Sequence, residues 1–148
     1  MFILPPAAGA QLISAREAAF WAAKAVNAND IVDVVVPRSA IPEFFRRVAD
    51  VQTAHETIFF GCGHAGDGNV HLSVFQTDPE KRSAAMRALF EAGLALGGAI
   101  SGEHGIGRAK KAYFLEFEDP VKLRLMREIK RAFDPKGILN PGKCLPGI

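Results

Sequence analysis

Val70, Leu72 and Val74 alternate with Asn69, His71 and Ser73. A period of two predicts a strand with one apolar and one polar face, running from about Asn69 to Gln76. Two other stretches read as strands. Ile31-Val32-Asp33-Val34-Val35-Val36 is a β-branched run bounded by turn residues and Pro37, and Thr57 to Cys62 leads into a glycine-rich turn. Between them the period lengthens: Ile41, Phe44, Phe45, Val48 and Val51 share one face of a helix that Ser39 should cap, with Pro42 tolerated in its first turn. Asp78-Pro79 should open another helix, carrying Met86, Leu89, Phe90 and Leu94 to the core and ending at Gly97-Gly98. Ala99-Ile100-Ser101 is short enough for an edge strand. Asp119-Pro120 should start a last helix with Val121, Leu125, Ile129 and Phe133 on one face, stopped by Asp134-Pro135 and Gly137.

Residues 1–13 show little periodicity and are expected to form a flexible arm. Ser14, with Glu17 three residues on, reads as a capping box for an alanine-rich helix reaching about Val26. No linker or repeat divides residues 14–148, so they form one domain. The middle order βαββαβ predicts an α+β, ferredoxin-like fold: an antiparallel sheet with helices packed on one face, plus N- and C-terminal helices. One sheet face is then left free, and parity puts His71 on it.

Composition adds limits. The chain has 148 residues, 49% of them apolar, and a net charge of +2 with the basic residues scattered, which gives no reason to expect nucleic acid as a partner. Two cysteines offer neither zinc-finger spacing nor a disulfide framework; Cys62, in an apolar run, is expected in the core. Trp21, the helix aromatics and Met86 are assigned to the core as well. The opening Met-Phe-Ile-Leu-Pro-Pro lacks a charged signal-peptide region, and no apolar run approaches the ~20 residues that span a bilayer. A cytoplasmic location is the expectation.

The chemistry concentrates in two glycine-rich segments, His64-Ala-Gly-Asp-Gly-Asn-Val-His71 and Gly102-Glu-His-Gly105, which hold three of the four histidines. Imidazoles and a carboxylate suit zinc, manganese or iron. A turn at Gly66-Asp67-Gly68 can fold His64 back toward His71, and Glu103 is the candidate third ligand. His104, beside it, would be free for proton transfer. Asp67 is either an acceptor that orients an imidazole or simply a turn former. Asn69 shares the face of His71 and could donate to a substrate oxygen. His55 reads as a helix-terminal surface residue.

At these residues the sequence resembles the C-terminal domain of the FAD-linked 2-hydroxyacid oxidases and dehydrogenases, a family that includes the glycolate oxidase flavin subunit, D-lactate dehydrogenases and D-2-hydroxyglutarate dehydrogenase. Five segments carry the resemblance in the family's order: Ala15-Arg-Glu-Ala-Ala-Phe20, Asp33-Val-Val-Val-Pro-Arg38, residues 63–71, residues 101–108 and residues 133–143. It implies that His64, His71 and Glu103 are divalent-metal ligands, His104 the catalytic base, and Asn69 and Arg16 substrate contacts, Arg16 for a carboxylate. Asn140 and Lys143 would lie on the flavin side. The implied reaction is oxidation of a small D-2-hydroxyacid with hydride transfer to FAD.

Nothing in the chain resembles the family's flavin-binding domain, so the resemblance implies a fragment, a truncated product or one subunit of a split enzyme. It would be inactive alone, would need the missing flavin-binding domain or subunit as partner, and could homo-oligomerise through an exposed sheet edge. A stand-alone metal-dependent hydrolase and a non-catalytic assembly module are the alternative readings.

Overall fold

A computed structural model describes residues 3–25 and 27–145. The elements are α1 (Pro6–Ala25), β1 (Asp30–Val35), α2 (Ile41–His55), β2 (Ile58–His64), β3 (Asn69–Phe75), α3 (Pro79–Leu94), α4 (Lys111–Phe117) and α5 (Pro120–Phe133). The sheet is antiparallel in the order β1-β3-β2, with β3 in the middle. This is the α+β architecture read from the sequence. The expected fourth strand is reduced to two bridges on the outer side of β1, Val35 with Ala99 and Asp33 with Ser101. Gly98 permits that approach: a Cβ there would lie 2.1 Å from the Val35 carbonyl oxygen. The chain then turns away at Ser101.

Strand parity sorts the two faces. Val32, Val34, Val70, Leu72, Val74 and Phe59 are buried against Phe44, Val48 and Val51 of α2 and Ala85, Met86, Leu89 and Phe90 of α3. Asp78 caps α3, accepting N–H bonds from Glu80 (2.8 Å) and Lys81 (3.2 Å), and Asp119 caps α5 through Val121 N–H at 2.6 Å. Phe90 sits at the centre of this layer with its ring 5.2 Å from that of Tyr113. Phe90→Ala should cost about 3–5 kcal/mol by leaving a cavity; denaturant melts check this, and a loss below about 1 kcal/mol would contradict the packing described.

Several expectations are corrected. The first helix starts at Pro6, not Ser14, so residues 6–13 are helical and Ser14 caps nothing. Alanine favours the helix over Ala7 and Ala8, and Pro6 suits a first helical position. The expected end at Val26 lies outside the described residues. Ser39 does not cap α2 either: it lies in a short 3₁₀ turn, Arg38–Ala40, and Ala40 precedes the helix with no side-chain cap. Trp21 is 63% exposed and Cys62 is exposed, so neither is a core residue. Cys62 pairs with His71 in the β2–β3 register and therefore shares its polar face, as do the exposed Ile58 and Phe60. Helix α4 was not anticipated; it packs through Phe114 and Tyr113. On α5 the residue that is buried is Leu123, whereas Val121, Leu125, Ile129 and Phe133 (83%) face outward. Among the described residues, no helix is long and apolar enough to cross a membrane.

Candidate metal centre

β2 ends at His64 and β3 begins at its register partner Asn69, so a four-residue turn joins them. Asp67 N–H bonds the His64 carbonyl at 2.9 Å, and Gly68, at φ +79°, passes so close to β1 that a Cβ would lie 2.0 Å from the Val36 carbonyl oxygen. The hairpin sets His64 diagonally from His71 on one face, their rings 5.3 Å apart and nearly perpendicular. The Asp67 side chain makes no hydrogen bond among the described residues, which favours the turn-former reading.

The segment after the Ser101 bridge lays Glu103 across this pair. Its Oε1 is 2.9 Å from His71 Nε2 and 3.3 Å from His64 Nε2, and one donor atom from each of the three residues lies within 4.8 Å of the others. Two donors sharing a tetrahedral zinc at about 2.05 Å would be about 3.3 Å apart, so this set can hold a divalent cation. His71 Nε2 is buried and, despite the proximity of Glu103, is not aligned for a hydrogen bond. A buried nitrogen of that kind is costly unless it binds something. Burial, followed by the adjacent His104, pushes the His71 pKa down against the pull of Glu103, which keeps the imidazole neutral and its lone pair available.

His104 lies alongside, its ring 4.6 Å from that of His71. A cleft of about 270 Å³ opens over the group, lined by His64, His71, Glu103 and His104, by Ile31, Phe60 and Cys62 on the sheet, and by Arg16 from α1. Asn69 is 5% exposed, its amide against Gly102 and its Oδ1 without a hydrogen-bond partner among the described residues. Five of the eight expected site residues thus line the cleft, and Asn69 is buried beside it rather than on its wall. Asn140 and Lys143 do not line the cleft. They sit in an exposed turn, Lys143 N–H bonding the Asn140 carbonyl at 3.2 Å, and this turn is tied to the loop carrying Glu103 by the Cys144 N–H to Gly107 carbonyl bond at 2.7 Å. His55 ends α2 and does not line the cleft.

Sequence reasoning missed Asp33. It is completely buried on β1, opposite His71 in the register. Its Oδ2 accepts N–H bonds from Gly102 (2.9 Å), Glu103 (2.8 Å) and His104 (2.7 Å). Its Oδ1 pairs with the buried Lys110 ammonium and accepts from Ser101 Oγ at 3.1 Å. Burial alone would raise its pKa, but the Lys110 hydrogen bond and the backbone donors outweigh that and hold it below the usual carboxylate value. The signal was present: one acid within a run of β-branched residues, in phase with the polar face.

The match to a family model places the chain among the flavin-linked oxidases. Residues 5–144 match the family described as FAD linked oxidases, C-terminal domain, and the chain belongs to it. It is 55% identical over 141 residues to an uncharacterized FAD-linked oxidoreductase of Mycobacterium tuberculosis, covering 95% of this chain and 31% of that protein. It is 41% identical over 120 residues to a D-lactate dehydrogenase of Anaerostipes hadrus, covering 77% and 25%. With the glycolate oxidase subunit GlcD of Bacillus subtilis it shares 35% identity over 138 residues, covering 89% and 29%. The chain therefore spans less than a third of the length of each of these relatives.

Proposed function

We propose that this chain is the substrate- and metal-binding part of a flavin-dependent enzyme that oxidises a small D-2-hydroxyacid to the 2-oxoacid. The observation that carries the reading is the convergence of His64, His71 and Glu103 in one cleft, with His104 beside them and Arg16 on its wall. Arg16 supplies a guanidinium fork for the substrate carboxylate. His104, next to the ligand set, takes the proton of the α-hydroxyl. Asn69, buried beside the cleft with its amide against Gly102, would accept from the same hydroxyl. When bound, a divalent cation on His64, His71 and Glu103 supplies Lewis acidity and FAD supplies the hydride acceptor. The flavin-binding part is the expected partner, and Asn140 and Lys143 would face it.

The names of the lactate and glycolate relatives support the substrate class. A chimera tests it: this chain replaces the matching segment of the mycobacterial relative. With FAD loaded, it should oxidise D-lactate or glycolate with an artificial electron acceptor, and His104→Ala should lower kcat about 100-fold or more. A folded, flavin-loaded chimera that oxidises none of a panel of 2-hydroxyacids would refute the reading.

A further inference from the structure

The loop that delivers Glu103 has no regular secondary structure between the Ser101 bridge and α4, yet its first residues are held by a buried charge. Three consecutive backbone N–H groups, those of Gly102, Glu103 and His104, converge on the single oxygen Oδ2 of Asp33. Successive amides wrapped around one anion form a nest of the kind that elsewhere binds phosphate. Here the anion belongs to the protein itself. The Gly102 N–H is shared with the Asp33 main-chain carbonyl, also at 2.9 Å, which fixes where the nest begins. Once those N–H groups point at Asp33, the peptide planes on both sides of Glu103 are fixed, and its carboxylate reaches His64 and His71.

We propose that Asp33, with Lys110 as its counter-ion, is a positioning residue of the centre: acting through the backbone of Gly102, Glu103 and His104, it aims the Glu103 carboxylate and the His104 imidazole at the cleft. It touches neither ion nor substrate in this role. The groups facing it are Lys110, the Ser101 hydroxyl and, at 3.9 Å from Oδ1, His104 Nδ1. Lys110 is needed because an unpaired carboxylate at this depth would be strongly destabilising. Asp33 stands between Val32 and Val34 on β1, so one strand supplies both core valines and the anchor of the site.

Two measurements test the proposal, and its metal arm rests on the function proposed above. In the unaltered chain, amide hydrogen exchange of Gly102, Glu103 and His104 should be at least about 100-fold slower than that of the exposed Ala65 and Gly66. Exchange as fast as in that turn would overturn the proposal whatever any variant does. The second arm pairs Asp33→Val with Lys110→Met, which replaces the ion pair with apolar groups and is the substitution most tolerable to the fold. Cobalt(II) titration of the double variant should show affinity at least about tenfold weaker than the unaltered chain, with the visible d–d spectrum shifted to that of Glu103→Gln. Adding Glu103→Gln to the double variant should then cause no further loss, since both routes remove the same ligand. Unaltered affinity and spectrum in the double variant would overturn the proposal. If the unaltered chain binds no cobalt, the proposed function falls while the exchange arm still decides the role of Asp33.

Discussion

His71→Ala should abolish the thermal stabilisation that zinc or manganese gives this chain, while leaving the metal-free protein about as stable as before. The two halves of that result have different causes. His71 contributes the buried nitrogen of the proposed ligand set, and without it only His64 and Glu103 remain, both about half exposed. Losing an outer-shell partner of a metal ligand commonly costs 10–100-fold in affinity, so losing the ligand itself should cost at least about 100-fold. Metal that binds only the folded state stabilises it by about 2.7 kcal/mol at a hundredfold excess over Kd, and the variant should forfeit nearly all of this. In the absence of metal, the substitution removes a polar nitrogen that has no hydrogen-bond partner, so a desolvation penalty disappears along with the lost packing. Melting curves with and without metal, together with metal content after dialysis, measure both halves. Equal metal content in parent and variant would remove His71 from the ligand set.

Gly61→Val should destabilise the fold by about 3 kcal/mol and damage the site with it. Gly61 lies on edge strand β2 opposite Leu72, and a Cβ added there would stand 1.8 Å from the His71 carbonyl oxygen. The obstacle is backbone, which cannot rotate aside like a side chain, so β2 must move away from β3. Gly63 is under the same constraint, at 2.4 Å from the Asn69 carbonyl oxygen. Because His64 rides on β2 and His71 on β3, separating the strands pulls the two proposed ligands apart. Denaturant melts and metal affinity should therefore fall together. A variant as stable as the parent would show that the two strands are not packed this closely.

Much of this could be read from the sequence because it is written in local patterns. The alternation around His71 identified both faces of β3, and the Asp78-Pro79 and Asp119-Pro120 pairs located two helix starts through their caps. The ligand set followed from the histidine and glycine spacing together with a family resemblance; spacing alone could not show that residues 64–71 meet residue 103. Errors arose where a local signal was overridden or reversed. Ser14 and Ser39 have capping side chains, but an alanine-rich segment extends past the first and a 3₁₀ turn absorbs the second. Cys62 lies in an apolar run whose alternate members, Ile58 and Phe60, project onto the open face, so hydrophobicity there did not report burial. Asp33 stood out locally as one acid in a β-branched run, but its partners, amides and a lysine some 70 residues away, are not encoded in any local pattern.

That long reach also bears on how the molecule assembles. The two histidines belong to a hairpin closed by four residues, the kind of unit that forms on a microsecond scale. The carboxylate's place depends instead on β1 pairing with β3 and setting its aspartate beneath the loop, a contact across some 70 residues. One half of the candidate site is thus encoded in a short hairpin and the other in a pairing between distant parts of the chain, so a change on β1 far from either histidine can misplace the acid while leaving the hairpin intact.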